Sequence, residues 1–294
     1  MKISVIIATY NRVRDIERFL ESTQRWHLPA SLDWEIWIID NNSTDATRER
    51  VESYAQTSLG RIHYQVEPKQ GKSFALNTGI RCATGDILAF TDDDCIPDTD
   101  WLAVIAREFA SHPELSGIGG RVELYNPEDR PITIRTSRER SEVNSPGGLF
   151  FSIVGCNMAF RREVFGAAGG FDSRFGPGLA IEAAEDVDFL YRAFSKGFRM
   201  EYVPEVFVYH NHGRRTDADE NALKEKYITG RGAFYAKYIF RADKVVLKMA
   251  YWEVLGVLRS SFRDARTADA LLDELEVLWF LLSGAARLTF SYLK

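Results

Sequence analysis

Acidic side chains cluster at two places in this chain. Asp92, Asp93 and Asp94 stand side by side after a short apolar run, whereas Glu185 and Asp186 open a later amphipathic segment. Like charges repel one another, and carboxylates beside apolar surface lose hydration. A cluster of this kind is therefore explained by a bound metal, by a catalytic proton or by a turn that water solvates.

The spacing within the aspartate triplet favours a metal. In an extended segment, residues i and i+2 point to the same side, so we expect Asp92 and Asp94 to face one ligand while Asp93 faces elsewhere. Mg²⁺ commonly binds one or two carboxylates together with substrate phosphates, and such a metal neutralises a diphosphate leaving group. The alternative is a solvated turn that caps the following helix. The triplet alone leaves both interpretations open.

The elements that must position these residues alternate between strands and helices. Apolar stretches at 3–9, 34–40, 61–66 and 86–90 predict four strands, and a helical pattern follows each of them. This alternation predicts an α/β fold with a mainly parallel central sheet flanked by helices. Ligands bind such sheets beyond the carboxyl ends of the strands. The polar stretches TYNR, DNNSTD and TDDDC follow strands one, two and four, so we expect them to meet at one edge.

The second half of the chain changes character. The polar stretch 125–149 contains proline and predicts a loop excursion. A helix is expected to end at Gly197, and late strands follow within 199–212. From about residue 217 onward the patterns are helical. Five leucines follow helical spacing near the end of the chain: Leu271, Leu272, Leu275, Leu278 and Leu282.

Composition places the chain among soluble globular proteins. Of its 294 residues, 45% are hydrophobic and 27% are charged. The net charge of −5 argues against nucleic-acid binding as the main function. Three cysteines without a CxxC pair predict neither a disulfide framework nor a zinc site, but free thiols in a reducing compartment. The longest apolar candidate for a membrane span is interrupted by Arg287, so no transmembrane helix is expected.

The ordered motifs resemble those of the family 2 glycosyltransferases with the GT-A fold. They read ATYNR, DNNSTD, GKSFALNTGI, FTDDDCIPD, GCNMAFRREVFGAAGGFD and EDVDFLYRA, and the resemblance covers residues 3–212. It implies a Rossmann-like GT-A catalytic domain over 1–215, divided into a nucleotide-sugar half (1–122) and an acceptor half (123–215). A C-terminal helical region over 216–294 follows.

The activity that the resemblance implies is an inverting transfer. The donor would be a nucleotide-sugar, with a UDP-sugar as the first choice. The acceptor would be a hydroxyl group of a glycan or of a lipid-linked molecule, in the synthesis of a cell-surface polysaccharide or glycoconjugate.

Residues for the donor follow from the same resemblance. Thr9, Tyr10 and Arg12 would line the site for the base and phosphates. Asp40 would accept a hydrogen bond from the base, as a carboxylate can, unless it is simply a turn residue. Lys72 opens a helix, where backbone amides and a cation can both face phosphate, although a solvated lysine is the alternative.

The metal site is implied by the DxD motif, which maps onto the aspartate triplet. Asp94 would bind Mn²⁺ or Mg²⁺, and Asp92 is a second candidate ligand. Asp92 or Asp93 would otherwise contact the ribose and the sugar. His210 is a further candidate, because imidazole is tolerated by Mn²⁺. A surface histidine at a strand end is the alternative.

The second acidic cluster would supply the base. By resemblance, Asp186 deprotonates the acceptor hydroxyl, which attacks the anomeric carbon in line with the departing nucleotide. Glu185 would contact the acceptor or tune Asp186. The alternative is that both acids merely favour the start of a helix through its dipole.

The acceptor side of the site is expected at Gly155, Cys156 and Asn157, where small residues permit a ligand to approach closely. Cys156 is not expected to act as a nucleophile, because no histidine partner is evident at a readable spacing. Arg214 and Arg215 lie in the stretch HGRRT. They are candidates for diphosphate contacts or, alternatively, solvated surface arginines.

Other classes of function compete with this interpretation. A sugar nucleotidyltransferase needs a Gly-rich basic signature after the first strand, but TYNRVRD stands there without glycine. A hydride-transferring Rossmann enzyme is disfavoured because no GxGxxG follows a strand. A non-catalytic nucleotide-sugar-binding protein would bind UDP without turnover, and the retained acidic pairs argue against it. The QxxRW motif of processive family members is absent, which favours a single transfer.

Residues 243–294 mix aromatic and basic side chains in helical patterns. Such helices can lie on a membrane, and packing on the catalytic domain or in a homodimer interface is the alternative. The expected location is the cytoplasm, with peripheral contact at the inner face of the plasma membrane as an open hypothesis. The side chains concerned are Trp252, Trp279, Phe280, Lys244, Lys248, Arg259, Arg263 and Arg266.

Overall fold

The computed structural model describes residues 1–264 and 268–292, with side chains described outside 258–275. Six residues that the sequence singles out lie outside the described side chains: Arg259, Arg263, Arg266, Leu271, Leu272 and Leu275.

One mixed sheet forms the centre of the described part of the chain. Its strands are β1 (Lys2–Thr9), β2 (Asp33–Asp40), β3 (Ile62–Val66), β4 (Ile87–Thr91), β5 (Cys95–Pro97), β6 (Gly117–Leu124), β7 (Ser141–Glu142), β8 (Asn157–Arg161) and β9 (Met200–His210). Their order is β3-β2-β1-β4-β8-β6-β9-β5, and β7 pairs with β9 outside that path.

The four strands predicted from the first half of the chain lie side by side and run parallel. β1 pairs with β2 and β4, and β2 pairs with β3, all in parallel. The strand β8 then enters antiparallel between β4 and β6, whereas β6 and β9 are parallel to each other. The predicted α/β fold with a mostly parallel sheet is thereby confirmed.

Helices cover both faces of this sheet. They are α1 (Val13–Thr23), α2 (Thr47–Thr57), α3 (Lys72–Cys82), α4 (Trp101–Ser111), α5 (Leu149–Ser152), α6 (Arg162–Ala168), α7 (Glu185–Ser195), α8 (Asp217–Ile239), α9 (Lys244–Asp264) and α10 (Ala268–Ser291). The helix α7 ends just before Gly197, whose φ of 81° takes the left-handed conformation that a helix end favours in glycine.

Two hydrophobic clusters form the core, one on each face of the sheet. Ile3, Val5 and Ile7 of β1 enter the cluster that α1, α2 and α4 cover, whereas Ile6 enters the other. This alternation follows from the two-residue period of a strand. The second cluster contains residues from α3, α6, α7, α8 and α10. The C-terminal helices therefore share a core with the sheet.

The buried face of α10 differs from the leucine pattern. A Cβ at Gly284 would lie 1.9 Å from the carbonyl oxygen of Thr229, so this glycine lets α10 approach the backbone of α8. The face centred on Gly284 buries Leu281 and Leu288, whereas Leu282 is 69% exposed. Leu282 therefore lies in the helix that the leucine spacing predicted but outside its buried face, because the glycine sets the closest approach of the two helices.

The excursion at 125–149 runs along the sheet edge. Its residues Ser141 and Glu142 pair with β9, and Arg135 forms a bridge with Val122. The late strands predicted within 199–212 are one strand, β9, which ends at His210.

Candidate active site

A cavity of about 560 Å³ opens at the carboxyl ends of β1 and β4. Most residues predicted for the site line it, namely Thr9, Tyr10, Arg12, Lys72, Asp92, Asp93, Asp94, Gly155, Cys156, Glu185, Asp186 and His210. These residues come from distant parts of the chain, and the parallel strands bring them to one edge of the sheet.

Asn157 does not line this cavity. Its side chain is fully buried, accepts a hydrogen bond from Trp101 Nε1 at 2.9 Å and donates to the carbonyl oxygens of Arg121 and Val206. The amide hydrogens thus join β8 to β6 and β9, and the carbonyl oxygen joins β8 to α4. The expectation that Asn157 lies near the sugar disagrees with this placement, and the side chain has a structural role.

Asp40 also lies outside the residues that line the cavity. It is buried at the end of β2, where its carboxylate accepts hydrogen bonds from Ser43 N at 2.8 Å and from Tyr64 Oη at 2.6 Å. The tyrosine holds the carboxylate in place, and the sequence offered no signal for it. The contact between Asp40 and a base stays a prediction.

The aspartate triplet points in more than one direction. Asp92 Oδ1 lies 2.5 Å from Lys72 Nζ, whereas Asp94 Oδ2 accepts a hydrogen bond from Arg12 Nη1 at 2.7 Å. The two carboxylates have different cationic partners, although both line the cavity, and a ligand that they share stays a prediction. Residues Asp93 and Asp94 form a turn between β4 and β5, so the two-residue period of an extended strand does not apply.

Burial and nearby charges shift the pKa values of Asp93 and Asp94 in opposite directions. Asp93 is buried and accepts a hydrogen bond from Thr9 Oγ1 at 2.8 Å. Burial and the negative charge of Asp94 raise the pKa of Asp93 above its ordinary value. Burial also opposes ionisation of Asp94, but the contacts with His210 and Arg12 outweigh it and lower the pKa of Asp94. Asp94 is therefore the carboxylate of this turn that stays charged.

His210 lies beside Asp94. Its Nε2 is 3.3 Å from Asp94 Oδ1, an oxygen that is buried without a well-formed hydrogen bond. Burial opposes protonation of this imidazole, but the Asp94 carboxylate beside it raises the pKa of His210 to about 9.

Asp94, Cys95 and His210 could hold a metal ion. Their ligand atoms lie within 4.8 Å of one another. A carboxylate and an imidazole suit Mn²⁺, whereas burial raises the pKa of the Cys95 thiol and keeps it protonated. The unpartnered oxygen of Asp94 is what a cation site requires. Asp92 is not part of this group, because its carboxylate is directed to Lys72.

Lys72 supplies the positive charge at the other end of the triplet. It begins α3, and its Nζ lies 3.8 Å from Glu185 Oε1 in addition to its contact with Asp92. Burial alone would lower the pKa of Lys72, but the neighbouring Asp92 and Glu185 carboxylates raise it above its ordinary value. The side chain therefore stays an ammonium ion.

The carboxylate of Asp186 is held by backbone amides at the start of α7. Its Oδ2 accepts a hydrogen bond from Gly155 N at 3.1 Å and its Oδ1 from Val187 N at 2.8 Å. A Cβ at residue 155 would lie 2.8 Å from Asp186 Oδ2, so only glycine leaves room for this contact. Burial raises the pKa of Asp186 above its ordinary value, although these amides oppose the shift.

Ala184 precedes α7 with a φ of 73°, a conformation that is uncommon for a residue with a side chain. It directs the first turn of the helix, which carries Glu185 and Asp186. Burial and the charge of Asp186 raise the pKa of Glu185. The two acids are therefore set by an unusual backbone conformation, which is frequent at functional sites.

The segment that follows β9 also supplies cavity residues, namely Arg214 and part of α8. Arg214 lines the cavity with its Nη1 buried and unpartnered. Arg215 instead binds Asp129 Oδ1 through its Nε at 3.0 Å. The helix α8 contributes further cavity residues that the sequence did not point to. The available signal was Thr216 with Asp219, a capping box that starts α8 directly after the site.

The sequence matches a known family model. The model described as glycosyl transferase family 2 covers residues 4–168. The chain belongs to this family. A second model, glycosyl transferase family group 2, covers residues 87–292 of this family 2 enzyme.

Named glycosyltransferases are similar to this chain. Glycosyltransferase AglE of Haloferax volcanii is 27% identical over 262 residues, which are 87% of this chain and 81% of AglE. Validoxylamine A glucosyltransferase of Streptomyces hygroscopicus subsp. jinggangensis is 25% identical over 257 residues, which are 75% of this chain and 58% of that protein. The chain thus spans most of AglE but little more than half of the second relative.

Solved structures share the fold at low sequence identity. S. aureus TarS 1–349 in complex with UDP-GlcNAc has a TM-score of 0.68 at 17% identity, covering 97% of this chain and 82% of that one. The mannosyltransferase PcManGT of Pyrobaculum calidifontis, in complex with GDP-Man and Mn²⁺, has a TM-score of 0.64 at 21% identity, covering 98% and 87%. The GT-A fold, the family and the class of enzyme predicted from the sequence are confirmed.

None of the helices within residues 1–264 and 268–292 has the length and hydropathy that crossing a membrane requires.

Proposed function

We propose that this enzyme is a metal-dependent inverting glycosyltransferase that moves a sugar from a nucleotide-sugar to a hydroxyl group. The observation that carries the proposal is the content of one cavity. The Asp94–His210 pair, the ammonium group of Lys72 and the amide-held carboxylate of Asp186 all line it. A cation site, a charge for a leaving phosphate and a base are the groups that this reaction needs.

A UDP-sugar is the donor that we propose. Thr9, Tyr10 and Arg12 line the cavity beside the triplet, and Asp40 ends the neighbouring strand. Structures of similar fold contain UDP or UDP-GlcNAc in TarS and GDP-Man in PcManGT, which supports the nucleotide-sugar class. A GDP-sugar is the second candidate. Direct binding of UDP, UDP-sugars and GDP-sugars, compared by calorimetry, distinguishes them.

The departing diphosphate would meet positive charge from two side chains. Lys72 stays charged beside Asp92, and Arg214 offers a buried guanidinium nitrogen without a partner. An unmet buried donor is costly, so a phosphate oxygen is a natural partner for it. When bound at Asp94 and His210, Mn²⁺ or Mg²⁺ would supply further positive charge to the leaving group.

The acceptor hydroxyl would lose its proton to Asp186. The raised pKa of this carboxyl makes it a stronger base than an exposed aspartate. Hydrogen bonds from Gly155 N and Val187 N fix its orientation. Glu185 precedes Asp186 in α7 and lies 3.8 Å from Lys72 Nζ, and we propose that it tunes the charge of the base and contacts the acceptor.

Two other functions are separated from this one by a simple experiment. A non-catalytic binding protein would bind UDP in the presence of metal but release no UDP from any sugar donor. A sugar nucleotidyltransferase would form a nucleotide-sugar from a nucleoside triphosphate and a sugar phosphate. The measurement is UDP release and nucleotide-sugar formation, followed side by side by liquid chromatography.

We also propose that the acceptor is a glycan or a lipid-linked molecule and that α9 and α10 contact the membrane on which it resides. Tyr251 and Trp252 of α9 are 60% and 51% exposed, and Trp279 and Phe290 of α10 are 67% and 65% exposed. Aromatic rings at a protein surface are suited to the membrane interface. A homodimer that buries the same aromatic side chains is the alternative.

A further inference from the structure

The helix α8 contributes one face to the cavity that contains Asp186. Its residues Leu223, Lys226 and Tyr227 line that cavity, together with Asp219 one turn earlier. Positions 219, 223, 226 and 227 recur at helical spacing and therefore form a single stripe. We name Leu223, Lys226 and Tyr227 the α8 face.

The helix that carries the α8 face is held at both ends. Its start is closed by a capping box between Thr216 and Asp219. In its middle, a Cβ at Gly230 would lie 3.0 Å from the side chain of Ala183, so α8 packs closely on the segment before α7. Near its end, Lys237 Nζ lies 2.7 Å from Asp172 Oδ2. The α8 face is therefore a preorganised surface, as a binding site requires.

Tyr227 is the residue of the α8 face that carries an aromatic ring, and the charge of Asp186 acts on it. Its side chain is partly open, with 45% of the residue exposed. Burial of its hydroxyl and the negative charge of Asp186 raise the pKa of Tyr227. Tyr227 and Asp186 both line this cavity, so a ligand that enters it can meet the ring and the carboxylate together.

In the described part of the chain, Arg214 is the cation near the α8 face that has no partner, and the proposed function assigns it to the departing diphosphate. The other charges around the α8 face are negative or paired. Lys226 Nζ lies 3.3 Å from Glu182 Oε2, so its charge is already balanced. Glu185 and Asp186 add negative charge from α7. What the α8 face offers is the ring of Tyr227, the apolar side chain of Leu223 and polar groups that can exchange hydrogen bonds. An aromatic surface with a few polar groups suits an uncharged sugar ring.

We infer that the α8 face binds an uncharged sugar ring of the acceptor, packed on Tyr227, with its reacting hydroxyl directed to Asp186. This inference rests on the proposed transferase function. The acceptor oxygen forms a bond with the anomeric carbon of the donor sugar. The bond from that carbon to the diphosphate oxygen breaks, the nucleoside diphosphate leaves with the electron pair, and the hydroxyl proton passes to Asp186.

The test uses soluble probes with the full chain. Neutral p-nitrophenyl hexopyranosides and anionic hexose 6-phosphates are offered as acceptors with UDP-sugars and Mn²⁺, and UDP release and product are measured. We expect transfer to neutral glycosides. Tyr227→Ala should raise the KM for the glycoside about tenfold, whereas Tyr227→Phe should stay within about twofold because the ring remains.

Two measurements keep the result interpretable. The Kd for UDP should be the same in Tyr227→Ala as in the wild type, since the inference assigns the ring to the acceptor and not to the donor. Tyr125→Ala changes an exposed tyrosine outside the residues that line the cavity, and it should leave the KM unchanged.

Contrary outcomes fall into two groups. Transfer only to the phosphorylated sugars, donor hydrolysis without transfer to any glycoside, or an unchanged KM in Tyr227→Ala would overturn the acceptor assignment alone. Absence of any metal-dependent UDP release, even to water, would instead overturn the proposed function.

Discussion

His210 Nε2 lies 3.3 Å from Asp94 Oδ1, although one residue follows β4 and the other ends β9. The antiparallel pairing of β5 with β9 sets Cys95 opposite His210 and so brings the two together. A buried carboxylate and a buried imidazole at this distance form a pair that a divalent cation can join.

The Asp94–His210 pair predicts where metal affinity resides. His210→Ala and Asp94→Asn should each weaken Mn²⁺ binding at least about tenfold, since loss of a ligand or of its partner has effects of that size. The affinity is measured by electron paramagnetic resonance of free Mn²⁺. His27→Ala, which changes an exposed histidine, is the control and should bind as the wild type does. Unchanged affinity in His210→Ala would exclude this histidine from the site.

The proposed base predicts a separation of binding from chemistry. Asp186→Asn keeps the shape of the side chain but cannot accept the proton, so transfer should fall about 10²- to 10⁴-fold. Its Kd for UDP should stay within about twofold, as calorimetry would show. Asp217→Asn, at an exposed position of α8, serves as the control. Normal transfer by Asp186→Asn would refute the assignment of the base.

The buried lysine of α8 predicts a large effect on stability. Lys237 is 2% exposed, and its ammonium group contacts both Asp172 and Asp188. Lys237→Met removes the buried cation that joins the two carboxylates, which costs up to about 3–5 kcal/mol of unfolding free energy. Asp172 keeps its contact with Arg174, and Asp188 keeps its contact with Arg192. Urea unfolding measures the loss.

Lys224, which lies on the same helix as Lys237, provides the control for this stability measurement. Lys224 forms only an exposed ion pair with Glu220, so Lys224→Met should leave the unfolding midpoint unchanged. Equal midpoints for the two variants would show that the buried contacts of Lys237 do not hold α8 to the catalytic fold.

Glu35 predicts how stability depends on acid. Its burial opposes ionisation, but hydrogen bonds from Lys2, Ser4 and the backbone of Thr84 outweigh this and lower the pKa of Glu35 from 4.5 to about 2. The folded state therefore gains stability above pH 4.5 and loses that gain as the pH falls towards 2.

Glu35→Gln removes this titration. The unfolding free energy of the wild type should fall more steeply between pH 4.5 and pH 2 than that of the variant, and the two should differ most near neutral pH. Parallel curves over this range, measured by urea unfolding, would contradict the role of Glu35.

The exposed aromatic side chains of α9 and α10 predict membrane binding. The wild type should float with vesicles that contain an anionic phospholipid, because exposed aromatic and basic side chains favour such a surface. Trp279→Ser combined with Phe290→Ser should leave the protein at the bottom of the gradient. A wild type that does not float but sediments as a dimer, disrupted by the same changes, would support the homodimer instead.

Local patterns predicted much of the fold. β1 buries Ile6 on one face of the sheet and Ile7 on the other, which is why the sequence showed this strand as a continuous apolar stretch. The polar strand ends then followed, because parallel strands share one carboxyl edge. The position of β8 between β4 and β6 could not be predicted, since it depends on pairing between distant segments.

Side-chain direction was harder to predict than position. Asp92 and Asp94 diverge because a turn replaces the extended backbone between them. The side chain of Asn157 forms hydrogen bonds with Trp101 and with two carbonyl oxygens, partners that no local pattern reveals. The role of Tyr227 in the cavity depends on how α8 packs, which close contact at Gly230 determines. Local sequence carries no information of that kind.

The central claim is metal-dependent transfer from a nucleotide-sugar, and one measurement tests it most directly. A panel of UDP- and GDP-sugars is incubated with the full chain, with Mn²⁺, with Mg²⁺ or with a chelator, and nucleoside diphosphate release is recorded. We expect release from at least one donor that the chelator abolishes and that Asp186→Asn reduces about 10²-fold or more. A chain that releases nucleoside diphosphate from none of these donors, or releases it equally with the chelator present, would contradict the claim.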